Sequence, residues 1–350
     1  MKKTYVISLN LKFLRIPVML CAISAVIISG AAISSEVPPI KLGQDAAEEL
    51  LLTNNAIKSK EKRAGVFSFL KVTNTAQPDK MSEKANKKDY HSSAVSSPEK
   101  LPLPTPGAPG NVNITNSTDY TVNISDYLIG PPSFLNNDVS VLIVHTHTTE
   151  SYTQSVNHTY TPTDTDRTTD KNFNTARVGK EIYDILKQNG IKVIHDTTIN
   201  DYPSYNGSYN RSGTNISNAI KNDPSIKIVL DVHRDAIEGT NGEKIKYTTA
   251  IDGKNAACIM FVAGSNLSGS EHSEWETNMQ FAATLQQHIQ ALYPGLMRPL
   301  NFRSQRFNQH LAPGAIIVEV GTNGNTLDEA LLGARYFANA LADYILKIRK

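Results

Sequence analysis

The chain has 350 residues, with 35 Lys and Arg against 33 Asp and Glu and only two cysteines. The formal net charge of +2 argues neither for nor against a polyanionic partner. No disulfide framework is available, because Cys21 lies in an apolar N-terminal segment and leaves Cys258 alone, where it reads as a small buried hydrophobe.

Lys2, Lys3, Lys12 and Arg15 precede an uncharged run from Ile16 to Ile33, about the minimum length that spans a bilayer. The basic flank predicts a cytoplasmic Met1 and export of everything beyond the run. Retained as an anchor, residues 1–35 tether the chain to the cell membrane in a single pass. Gly30-Ala31-Ala32 also permits a cleaved signal peptide. Residues 36–72 form a juxtamembrane segment with a short amphipathic pattern through Leu50, Leu51, Leu52 and Ile57. Residues 73–137 turn rich in Pro, Ser, Thr and Asn, and Leu101-Pro-Leu-Pro-Thr-Pro reads as a disordered, semi-extended spacer. A folded domain is expected over residues 138–350.

That domain opens with Val139-Ser-Val-Leu-Ile-Val144, a bounded apolar run of the kind that makes a buried strand. A polar loop and a helix from Thr175 to Asn189 follow, with Gly190 placed to end the helix. The next elements are a strand to His195, a tyrosine-rich loop, a second helix ending near Asp223 and a strand closing at His233. A hairpin turned by Asp252-Gly253 is predicted over 244–264, and a long helix over Glu274 to Leu292. A strand ending near Glu319 and a helix from Leu327 to Lys347 complete the order. Such alternation predicts an α/β fold: a mostly parallel sheet with helices on both faces and an antiparallel edge hairpin.

Three apolar strands end in titratable groups: His145, His147 and Glu150 after the first, His233 at the end of another, and Glu319 within Ile-Ile-Val-Glu-Val-Gly. Open α/β sheets bind ligands at the carboxyl ends of their strands. Zinc hydrolysis needs three His or carboxylate ligands, an open position and a nearby base. His145, His147, Glu150 and His233 can supply the ligands, and Glu319 the base, because a carboxylate in so apolar a run is costly unless it is used. Histidines two apart on a strand face the same way, which favours one shared site. Arg234 and Arg211 are candidates to hold a substrate carboxylate, or to pair with an Asp. Tyr209, with Tyr202 and Tyr205, is a candidate groove wall. His195 is a candidate for a pocket or supporting role.

The blocks His145-Thr-His-Thr-Thr-Glu-Ser-Tyr152, Asp201 to Ser212, Leu230-Asp-Val-His-Arg-Asp-Ala236 and Val318-Glu-Val-Gly321 closely resemble the stage II sporulation protein P family. The resemblance covers roughly Asp138 to the C-terminus and agrees with an anchor and a variable linker. It implies a zinc-dependent N-acetylmuramoyl-L-alanine amidase of amidase-3 type fold with one Zn2+ per catalytic domain, and an added cross-link endopeptidase activity. It also implies a role in forespore engulfment, in the intermembrane space, with stage II sporulation protein D (a lytic transglycosylase) and the membrane protein stage II sporulation protein M as partners. The wider amidases carry Gly-His-Gly-Gly after the first strand and a glutamate opening the next helix. Here His-Thr-His stands instead, and the helix start shows Asp170-Lys-Asn with no Glu. Carried over, His233 is a ligand and Glu319 the catalytic base. Glu150 is placed ahead of Asp170 as the carboxylate ligand. His145 is placed ahead of His147, which remains a second ligand or a partner behind it. The alternative from another class is a non-catalytic, membrane-tethered wall-binding or scaffold module.

Overall fold

A computed structural model of the protein describes residues 102–349. The expected anchor, the juxtamembrane segment and the spacer up to residue 101 lie outside the described residues. Among those described, no helix is long and apolar enough to cross a membrane.

In chain order the elements are β1 (Ile114–Asn116), β2 (Ser140–Val144), α1 (Thr175–Gln188), β3 (Val193–His195), α2 (Ser208–Asn222), β4 (Ile226–Asp235), β5 (Thr248–Ile251), β6 (Lys254–Ala257), β7 (Ile259–Gly264), α3 (Trp275–Leu292), β8 (Leu300–Arg303), β9 (Gly314–Thr322) and α4 (Leu327–Ile348). Two of the helices, α1 and α4, start where polar side chains hold their first amide groups. Asn174 accepts from the Ala176 amide at α1, and Thr326 with Glu329 closes a reciprocal box at α4. Gly190, at φ 75°, ends α1 as its position predicts.

Seven strands form one mixed sheet in the order β1-β8-β7-β9-β4-β2-β3. Only the β7–β9 pairing is antiparallel, so β3, β2, β4 and β9 run one way and β7, β8 and β1 the other. The carboxyl ends of β2, β4 and β9 therefore lie side by side along one edge of the sheet. α1, α3 and α4 pack their apolar stripes on one face, through Val178, Ile182, Phe281, Leu285, Phe337 and Leu341 against Val141, Ile143, Leu230 and Val318. Among the described residues the opposite face carries α2, whose Ile216 meets Leu142, Val144, Val229 and Ala315, and the 307–312 segment through Phe307, Leu311 and Ala312. One face is thus sealed and the other half open.

Two expectations about the architecture change. The folded unit begins well before Asp138: Ile114–Asn116 pairs with Leu300–Phe302 of β8, and Val112 and Leu135 are buried. A three-residue strand between polar residues carries too little periodicity to stand out from a spacer. The hairpin also divides. Asp252 and Gly253, both at positive φ, turn β5 into β6 as a separate two-stranded sheet. β7 then enters the main sheet between β8 and β9, so the antiparallel strand is internal rather than an edge. Its six residues are all buried, as a strand flanked on both sides demands.

Candidate active site

β2 stops at Val144, and its register ends with Val144 opposite Asp231. The chain then folds into a turn, closed by the Glu150 amide on the His147 carbonyl at 3.2 Å. Each threonine of the turn is tied down. Thr146 gives its amide and hydroxyl to the two oxygens of Asp231 at 2.7 and 2.6 Å. Thr148 donates to the carbonyls of His145 and Thr198, and Thr149 to Asp201 at 2.6 Å. This bend ends the strand alternation, so His145 and His147 leave on opposite faces.

His147 swings onto the half-open face. Its ring lies 5.2 Å from that of His233, edge to face. Glu150, at the far corner of the same turn, brings Oε2 to 3.5 Å from His233 Nδ1. Asp231, two residues before His233 and hence on the same side of β4, stands 3.0 Å from His233 Nε2. Glu319 is the register partner of His233 in β9 and of Met260 in β7, and cross-strand partners share a face. The structure thus brings His147, Glu150, His233 and Glu319 to one edge of one face.

His145 takes the other direction. It is fully buried between the sheet and α1, with Nδ1 2.9 Å from the Val232 carbonyl and Nε2 2.9 Å from His195 Nε2. A carbonyl only accepts, so His145 Nδ1 carries the proton and its Nε2 accepts from His195. Both nitrogens have protein partners, so His145, the ligand preferred from sequence, is not brought to the group around His233. Asp170, the reserve carboxylate, is exposed and accepts from the amide and side chain of Asn172.

Electrostatics separates the two faces further. Burial lowers His145 to about 4 and His195 to about 3, so both stay neutral. Burial likewise lowers His147, to about 3. Burial also works against charge on His233, yet Asp231 and Glu150 on either side push it well above the ordinary range. In return, although burial opposes it, His233 holds the Glu150 carboxyl far below the ordinary range and Asp231 at about 2. The two buried carboxylates thus flank one imidazole, with the Arg167 guanidinium 3.6 Å from Glu150.

A bound metal is therefore testable against the residues present. The donor set, two imidazoles and a carboxylate, is of the type zinc takes, and Asp231 stands 3.0 Å from His233 Nε2. The side chains meet in pairs: among the described residues no three His, Cys, Asp or Glu already converge on one point as a metal cage. In type, though not in their present spacing, the residues suit a divalent ion.

The arginines are otherwise engaged. Arg234 gives its guanidinium to the carbonyls of Ser151 and Asp166, while its amide meets Glu150 Oε2. Arg211 holds the carbonyls of Asn200, Ser204 and Asn206. Both brace loops around the site through backbone carbonyls rather than through an Asp side chain. Tyr209 does reach the site, its ring edge-on to His147 at 5.5 Å and tilted on Phe307 at 5.7 Å. Tyr205 stacks flat on His147 at 4.5 Å.

Sequence reasoning passed over Asp231, Arg167 and Asp201. The Asp-x-His spacing in β4 was the available signal for Asp231. Arg167 lies over the Tyr205 ring at 4.8 Å and pairs with Asp201 at 2.7 Å and Glu150 at 3.6 Å. Nothing in its polar loop marked it.

The family model for stage II sporulation protein P matches residues 32–342 of the chain. Stage II sporulation protein P of Bacillus subtilis (strain 168) is 28% identical over 226 residues, covering 61% of this chain and 52% of the relative. The chain thus spans about half the length of that curated relative. Among solved structures, an N-acetylmuramoyl-L-alanine amidase from Clostridium difficile 630 is 16% identical with a TM-score of 0.35, covering 60% of this chain and 96% of its own. The CwlD amidase from Clostridioides difficile, in complex with the GerS lipoprotein, is 11% identical with a TM-score of 0.36 and covers 61% and 98%. The catalytic domain of the CD27L endolysin is 13% identical with a TM-score of 0.37 and covers 60% and 97%.

Proposed function

The chain belongs to the stage II sporulation protein P family, and from that premise we propose that its C-terminal domain is a zinc-dependent peptidoglycan hydrolase. Its substrate is the amide joining N-acetylmuramic acid to the L-alanine of the stem peptide, with peptide cross-links as a second target. The observation that carries this reading is the pairing of His233 with Glu319 across β4 and β9, on the face to which the turn delivers His147 and Glu150.

His147, Glu150 and His233 would hold the zinc ion, which when bound supplies Lewis acidity toward water and the scissile carbonyl. The remaining steps belong to the chain. Asp231, 3.0 Å from His233 Nε2, and Glu150, 3.5 Å from its Nδ1, hold that imidazole between them. Glu319, half-buried beside them, takes the proton of the attacking water and delivers it to the leaving amine nitrogen. Tyr209 and Phe307 wall the half-open side and position the glycan or stem.

In the cell, the reading places the enzyme at the membrane on an N-terminal anchor, outside the cytoplasm in the intermembrane space of engulfment. Stage II sporulation proteins D and M are its partners there. Glu319→Gln tests the chemistry. Release of stem peptide from purified walls should fall by about 10²- to 10⁴-fold, while bound zinc and sedimentation with walls stay unchanged. Full hydrolysis by that variant overturns the assignment. A wild-type protein that sediments with walls yet releases no new amino ends supports the scaffold alternative instead.

A further inference from the structure

Beyond β8 the chain doubles back across the half-open face, and Phe307 sits there at φ 51°. The other non-glycine residues at positive φ among those described are Asp166 and Asp252, whose short polar side chains suit that region. A bulky aromatic residue has no such reason to adopt it. Its neighbours hold it in place. Asn308 gives Nδ2 to the Tyr209 carbonyl and to the Ser212 hydroxyl, both at 2.9 Å. The Gln309 side chain donates to the Val262 carbonyl and accepts from the Gly264 amide, both at 2.8 Å. On the preceding side, the Gln305 carbonyl oxygen lies where a Cβ on Gly264 would come within 2.3 Å of it. Backbone strain held from both sides is a mark of ligand clamps.

The clamp lies beside the candidate base. Glu319 is the register partner of Met260 and Ile317 that of Val262, so the second pair follows the first on the same face, about 6.6 Å along the strands. The Phe307 side chain packs against Met260, Val262 and Ile317. Its ring tilts 40° onto that of Tyr209, which meets His147 edge-on. Both aromatic residues are partly exposed. An aromatic corner on an apolar floor thus extends from His147 to the strands that carry Glu319. Arg306, the cation next in sequence, gives Nη1 to the Glu271 carbonyl.

The substrate of the proposed reaction has two unlike halves. The stem peptide carries carboxylates, which apolar ring surface does not solvate. The muramic acid pyranose presents an uncharged face of C–H bonds, which gains by covering an aromatic ring. Resting on the hydrolase reading above, we infer that Phe307 and Tyr209 form the sugar subsite. The muramic acid ring packs on their corner, and this contact sets the scissile amide toward Glu319. Recognition of the sugar, rather than of the peptide, is then the task of the strained residue.

The test compares two soluble substrates on the full chain supplied with zinc: an N-acetylmuramoyl stem peptide, and a lactoyl stem peptide with the same amide but no sugar. The wild type should favour the sugar-bearing amide in kcat/KM by about tenfold or more. Phe307→Leu keeps apolar volume over Met260, Val262 and Ile317 but removes the ring. It should cut that preference by at least about fivefold, through KM, while Phe307→Trp retains it. Calorimetric titration with a peptide-free tetrasaccharide of N-acetylglucosamine and N-acetylmuramic acid should show a matching loss of affinity in Phe307→Leu. An undiminished preference in Phe307→Leu, or an equal loss on both substrates, overturns the inference while leaving the hydrolase reading intact. A wild type that binds the tetrasaccharide more tightly than Phe307→Leu does, yet cuts neither substrate, overturns the hydrolase reading and upholds the subsite. A wild type that neither binds nor cuts overturns both.

Discussion

His145 and His147 stand two residues apart at the tip of one strand, yet the fold gives them opposite surroundings. His145 enters the sealed face, where the Val232 carbonyl and His195 take up both ring nitrogens and α1 closes over it. His147 enters the half-open face, against His233, Tyr205 and Tyr209. Residue type and spacing are shared, so neither explains the difference. The bend at residues 146–149, held by Asp231 and Asp201, decides which imidazole joins His233. A strand tip is a place where one turn assigns structure to one side chain and chemistry to the next.

The sharpest way to break this contrast is to remove one histidine from each side. His233→Ala should abolish zinc binding and lower wall hydrolysis by at least about 10³-fold, as the loss of a ligand from a metal hydrolase does. His195→Ala, on the sealed face, should keep zinc and leave hydrolysis within a few-fold of wild type. Comparable activity losses in the two variants would erase the distinction between the faces.

The sealed face can be probed through Gly179. A Cβ there would lie 2.6 Å from the His145 ring and 2.7 Å from His195 Nε2. Replacing a mid-helix glycine by alanine ordinarily gains about 1 kcal/mol. Gly179→Ala should instead destabilise by about 1–3 kcal/mol, because α1 must move off the histidine pair. Urea unfolding measures it, and a stabilised variant would show that the packing is loose.

Acid should act through the same pair. The folded-state values of about 4 for His145 and about 3 for His195 lie below the usual 6.5. Between those limits the unfolded chain binds more protons than the native one, so stability falls as pH drops below about 6.5 and levels off above it. Each imidazole held neutral contributes about 1.4 kcal/mol per pH unit in that window. Metal-free His195→Gln should therefore lose part of the acid slope seen in the metal-free parent. An unchanged slope between about pH 7 and about pH 5 would remove the pair from the account.

Much of this was legible before any coordinates. The helices over Thr175–Gln188, Trp275–Leu292 and Leu327–Ile348 follow the spacing of their apolar residues within a residue or two of the expected ends. His233 and Glu319 stood out because each interrupts or ends a run that has no other reason to hold a charge. β1 and β8 did not stand out, since short strands with polar residues gain their identity from pairing with each other. The facing of His145 and His147 was hidden because it depends on where β2 stops, and the period-2 rule holds only inside a strand. The carbonyl partners of Arg211 and Arg234 were hidden for a different reason. A guanidinium's donors satisfy loop carbonyls as readily as a carboxylate, and sequence does not distinguish the two.

The most direct test of the account is zinc stoichiometry in two single variants of the full chain, His145→Gln and His147→Gln. The account predicts about one zinc per chain in His145→Gln, with lower stability, and near-complete loss of zinc in a folded His147→Gln. Zinc retained by His147→Gln and lost from a folded His145→Gln would contradict it.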